Sequence, residues 1–169
     1  MIRALRERFE ANYSEERYRS LREHCARHVG VPIPFRIAES PLFLSRETVD
    51  QAAAVASQLL EVAVRSANST SLPTGHAYAG ATPHPTFAAV DLAITDASVG
   101  LPFRLIELQG FPSLLHWQDL LGGSMAECYE LGTGLTGYAD ASLDHQHYHR
   151  LLSRAIVAGH DPREVILLE

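Results

Sequence analysis

"TFAAVDLAITDASVGLPFRLIELQG", residues 86–110, sets two runs of β-prone residues on either side of the connection "TDASVGLP". Gly100 and Pro102 in that connection are turn residues, so the stretch reads as a β-hairpin. Successive side chains of a strand point to opposite faces. Val90, Leu92 and Ile94 therefore form one apolar face of the first strand, and Asp91 lies on the other, between Ala89 and Ala93. In the second strand Glu107 and Gln109 share a face, while Ile106 and Leu108 share the opposite, inward one. If the strands pair with 91 opposite 107, Asp91, Glu107 and Gln109 converge beside small residues. Three oxygen-bearing side chains then crowd one place in an otherwise apolar segment, and two carboxylates so placed repel each other unless a positive charge lies between them.

Around the hairpin the pattern is helical. Ile2, Leu5 and Phe9 mark one face of a first helix. Ser14 caps a second, carrying Tyr18, Leu21, Cys25 and Val29, which Gly30 and Pro32 end. "PFRIAE" reads as a short strand. Ser45 caps a long helix with an alanine-rich stripe of Val49, Ala52, Ala53, Ala56, Leu60, Ala63 and Val64. After Pro112 a helix is expected to stop at Gly122-Gly123, with a shorter one in "SMAECYEL". "GTGLTGYAD" is loop, "SLDHQHYHRLLSRAIVA" is helix up to Gly159, and "REVILLE" reads as a buried strand. The expected fold is α+β or α/β, helices packed on a small mixed or antiparallel sheet. The loop-like "NSTSLPTGHAYAGATPHP" divides a helical lead-in, residues 1–72, from residues 73–169, which hold the hairpin and the helices after it. An apolar strand at the very end leads us to expect that the chain is the front part of a longer protein.

Composition bounds the function. With 169 residues, 46% hydrophobic and 20% charged, the chain is long enough for a real core and too apolar for disorder. No run approaches the roughly 18 apolar residues of a membrane helix, and the charged amino terminus lacks the core of a secretory signal. Two cysteines, Cys25 and Cys128, make no disulfide framework and are expected to be reduced in a cytosolic protein. Residues 1–36 carry eight arginines against five acids, interleaved on helices, which reads as a solvated face and not as a nucleic-acid footprint. All fourteen basic residues are arginine, so chemistry that needs a lysine cannot be completed by this chain.

Several motifs compete with the hairpin. Gly132, Gly134 and Gly137 spell G-x-G-x-x-G, but neither the strand before nor the helix directly after that a dinucleotide site needs is present. In "DHQHYH", His145 and His149 share a helix face as two metal ligands would, with His147 turned elsewhere; Gln146 in place of glutamate excludes H-E-x-x-H. His84, just ahead of the first strand, is a candidate nucleotide or substrate contact, and Arg104 alternates to the face opposite Glu107. No G-x-S-x-G, suggestive Cys–His spacing or P-loop supports a hydrolase or P-loop enzyme.

"VDLAI" and "LIELQGFPSL" resemble the metal-binding hairpin of ATP-grasp ligases, an aspartate in one strand followed by a strand ending in Glu-x-Asn and then a proline. The likeness spans residues 84–118, with Gln109 standing where the family usually has Asn. It implies Asp91, Glu107 and Gln109 as ligands to Mg²⁺ bridging the phosphates of ATP. The position of the hairpin well before the chain's end resembles the circularly permuted branch, the glutathionylspermidine synthase-like ligases, in which the lysines of the nucleotide site lie downstream. The resemblance thus implies part of an ATP-dependent ligase that joins a small carboxylate to an amine or thiol through an acyl phosphate, with the isolated chain inactive. The alternative is a non-catalytic α+β interaction domain that keeps the hairpin for folding.

Overall fold

A computed structural model describes residues 2–69, 85–95, 102–110, 112–132 and 134–166. The fold is α+β: helices α1 (Arg3–Asn12), α2 (Glu15–Val29) and α3 (Arg46–Ser69) precede strands β1 (Ala89–Ile94) and β2 (Phe103–Gln109), and α4 (Leu115–Cys128) and α5 (His145–Val157) come after them. The expected break near residue 72, the hairpin connection at 96–101 and His84 lie outside the described residues. The chain divides into two compact units, one of Met1–Thr48 with Leu114–Tyr148, the other of Val49–Ser113 with His149–Glu169.

The first unit holds the core. Ser14 accepts the Arg17 backbone N–H at 3.1 Å to open α2, and Gly30 ends it at φ 81°, a left-handed cap that glycine enters without steric cost. Helices α2 and α4 pack together, and Phe9, Leu21, Cys25, Ile33, Ile37, Phe43, Met125 and Tyr129 are buried in one cluster. "PFRIAE" is not a strand. Its backbone is irregular and wraps the core, seating Ile33 and Ile37, and the Ile37 carbonyl takes its hydrogen bond from the Tyr18 hydroxyl at 2.7 Å instead of from a neighbouring strand. Cys25 and Cys128 are both free thiols, and burial pushes the Cys128 thiol above its ordinary range.

Helix α4 also departs from expectation, for it runs unbroken through Gly122-Gly123. Buried Ser124 and Met125 hold the following turn in place, which offsets the propensity cost. A Cβ added at either glycine would meet nothing within 4 Å. Gly122→Ala should therefore raise the unfolding free energy by about 0.5–1 kcal/mol, read from urea denaturation; a loss of stability would show that the glycine is needed for packing.

In the second unit β1 and β2 form an antiparallel pair with Asp91 opposite Glu107 and Ala89 opposite Gln109. Phe103 is buried, but Ile106 is 65% and Leu108 39% exposed, so the face expected to point inward is open among the described residues. Along α3 the half-buried side chains are Val49, Ala52, Val55, Ala56, Leu59, Leu60 and Ala63. Ala53 and Val64 fall outside that stripe, since 100° per residue turns them from it. The expected strand "REVILLE" is absent where described: Pro162–Glu164 is a 3₁₀ turn opened by Asp161, and Val165 and Ile166 continue from it without strand pairing. No helix among the described residues is long and apolar enough to cross a membrane.

Candidate functional site

The hairpin brings the three sequence-selected residues together. Gln109 Nε2 donates to Asp91 Oδ2 at 3.2 Å and to Glu107 Oε1 at 2.5 Å. The two carboxylate oxygens therefore lie no further apart than those two bonds laid end to end. The amide of Gln109 occupies the position between two negative groups that a cation would take. An amide's nitrogen and oxygen exchange places by a half-turn about the last side-chain bond. That turn would aim Oε1, not the N–H groups, at the point where the carboxylates meet. Two carboxylates and one amide oxygen form a hard-oxygen set suited to Mg²⁺, which takes one or two carboxylates beside phosphate oxygens and water.

A bulge next to the site alters its surroundings. Beyond Asp91 the register slips, so that Leu92 faces Leu105 and Ala93 faces Arg104, leaving Ile106 as the extra residue. Paired residues share a face, and Ala93 is two residues from Asp91. The register thus carries Arg104 to the carboxylate face, whereas simple alternation along β2 assigns it to the other.

The first unit contains a second constellation, of which the sequence singled out only His145. A cleft of about 550 Å³ is lined by α4, by the loop through Leu135–Tyr138 and by the start of α5. Asp119, Gly122, Gly123 and Ala126 line it at helical spacing from one face of α4. The Asp119 side chain is only 6% exposed and meets His145 Nδ1 through Oδ2 at 2.7 Å. Its other oxygen, Oδ1, accepts the Tyr138 hydroxyl in a very short hydrogen bond. Burial, and next that bond to Asp119, push the Tyr138 hydroxyl far above its ordinary range, so it remains a donor. Tyr138 is also held through its backbone, because the Arg46 guanidinium donates to the carbonyl oxygens of Tyr138 and Ala139. The Tyr148 ring lies 5.2 Å from that of Tyr138, and its hydroxyl donates to the Leu115 carbonyl at 3.1 Å.

The remaining motifs take structural roles. Gly132 and Gly134 adopt positive φ in a loop preceded by a helix, so no dinucleotide turn forms. Asp144 caps α5 by accepting the His147 backbone N–H at 2.8 Å, and its Oδ1 also meets His147 Nδ1 at 2.8 Å. His147 is thereby tied to the helix start, His145 belongs to the cleft, and His149 falls in the second unit. The one available signal for Asp119 was an acid inside the apolar "LLHWQDLL"; its partner lies 26 positions on, beyond any local pattern. Compared with protein-family models, curated proteins and solved structures, the chain matches none.

Proposed function

We propose that the hairpin supplies the Mg²⁺–nucleotide ligands of an ATP-dependent ligase that activates a small carboxylate for capture by an amine or thiol. The observation that carries this reading is the meeting of Asp91 and Glu107 at one Gln109 amide. In this reading Asp91 and Glu107 supply the negative charge that holds the ion, and the Gln109 oxygen completes the set without adding charge. Bound there, Mg²⁺ would neutralise phosphate charge and align it for in-line transfer. Arg104, carried to the same face by the bulge, adds a cation that orients phosphate oxygens. None of these side chains is a nucleophile, so their contribution is positioning and electrostatic stabilisation. The nucleotide grip is expected elsewhere, because the chain contains no lysine.

Manganese titration tests the site on the 169-residue chain. Mn²⁺ should broaden the Gln109 side-chain amide and the backbone amides of Asp91 and Glu107 before other resonances. Mg²⁺–ATP should bind no tighter than about 1 mM, roughly −4 kcal/mol, without a lysine grip. Broadening that begins elsewhere would remove the metal from the hairpin, and micromolar ATP binding would place the nucleotide grip within this chain. The exposed Leu105, Ile106 and Leu108 favour a second reading, a non-catalytic interaction domain, which predicts no selective broadening at all.

A further inference from the structure

We propose that the cleft of the first unit is a proton-transfer site in which Asp119 orients His145 as a general base toward a small, non-anionic molecule bearing a hydroxyl or amine. This does not rest on the ligase reading. A carboxylate on Nδ1 fixes the proton there and leaves the lone pair of the neutral ring on Nε2. Asp119 is suited to the task because it is buried, 6% exposed, and pinned from its other oxygen by Tyr138. His145, by contrast, is 67% exposed at the cleft. The step is a single transfer: the substrate's O–H or N–H bond breaks, an Nε2–H bond forms, and the electron pair stays on the substrate heteroatom. The positive charge then on the imidazolium is stabilised by Asp119.

The cleft itself sets the substrate class. Its volume, about 550 Å³, is in the range of small-molecule sites. Gly122 and Gly123 sit inside α4 where no packing demands glycine, and they keep the wall beneath Asp119 flat. Among the described residues the lining contains Asp119, Asp144, His145 and the rings of Tyr138 and Tyr148, and no arginine. Two carboxylates repel an anion, while tyrosine faces attract cations and tolerate neutral groups.

Diethyl pyrocarbonate, which acylates the imidazole lone pair, reads the pair directly when modification of the nine histidines is tracked by mass spectrometry. His160 serves as the internal reference, being exposed just after α5. His145 should react about tenfold or more faster than His160, in keeping with general-base activation. Asp119→Asn should bring the ratio near one, because an amide can pair with either tautomer. Equal rates in the unaltered chain overturn the proposal even if Asp119→Asn fails to fold, and an unchanged ratio in a folded Asp119→Asn overturns it as well. Benzyltrimethylammonium should protect His145 saturably and benzenesulfonate should not. Protection by the sulfonate alone, or by neither probe, overturns the substrate class.

Discussion

On the proposed ligase reading, Glu107→Gln lowers ATP turnover about 10²–10³-fold, the cost of losing one positioned electrostatic contact in a transition state. The substitution keeps the size and shape of the side chain and removes one negative charge. With Asp91 alone holding the ion against the phosphates, the Mg²⁺ concentration needed for half-maximal turnover should rise as well. Stability should change by no more than about 0.5 kcal/mol, because Glu107 is exposed on the strand. Its neighbour provides the control. Leu108, paired with Val90 on the strand face opposite Asp91 and Glu107 and 39% exposed, lies away from the carboxylate pair, so Leu108→Ala should leave turnover per folded molecule unchanged. Steady-state turnover across a Mg²⁺ series, with melting curves for each variant, decides the matter. Unchanged turnover in Glu107→Gln removes this carboxylate from the mechanism, and equal losses in both variants would mean that the hairpin matters only as a fold.

Phe9→Ala should cost about 3–5 kcal/mol of unfolding free energy, the range for deleting a buried aromatic ring. Phe9 is 1% exposed, its ring centroid lying 4.5 Å from Tyr129 and 6.2 Å from Phe43. Such ring pairs contribute about 0.5–1.5 kcal/mol beyond their buried area. The cavity cannot simply close by moving α1, because the Ile2 backbone N–H donates to the Phe43 carbonyl at 2.8 Å and ties the helix start to the core. Leu42→Ala, at a side chain 58% exposed, should change stability by no more than about 0.5 kcal/mol. Urea denaturation monitored by Trp117 fluorescence reports on this unit, since the indole packs edge-on against Phe35 at 5.2 Å. A loss below about 1 kcal/mol for Phe9→Ala would mean that the unit repacks around the gap.

Short-range chemistry was legible in the chain. Ser14 and Gly30 announced the ends of α2 because caps depend on residues within one helical turn. The parity of Asp91, Glu107 and Gln109 came from the two-residue repeat of a strand, and the register with 91 opposite 107 is the one observed. What the alternation could not carry was the bulge at Ile106, a slip governed by the pairing of both strands together, which moves Arg104 to the other face. "PFRIAE" misled because its apolar residues serve a core assembled from α1, α2 and α4, not a sheet. The double glycine in α4 misled because local propensity was overridden by the burial of Ser124 and Met125 just after it. Of the Asp119–His145–Tyr138 constellation, local reading reached only His145, as one of a histidine pair at helical spacing. Tyr138 and His145 are 19 and 26 positions from Asp119, and only the turn of the loop back onto α4, held by Arg46, brings hydroxyl and imidazole to one buried carboxylate. A sequence specifies periodicities and caps through neighbours in the chain, whereas a buried polar cluster exists only once distant segments have folded to exclude water from it.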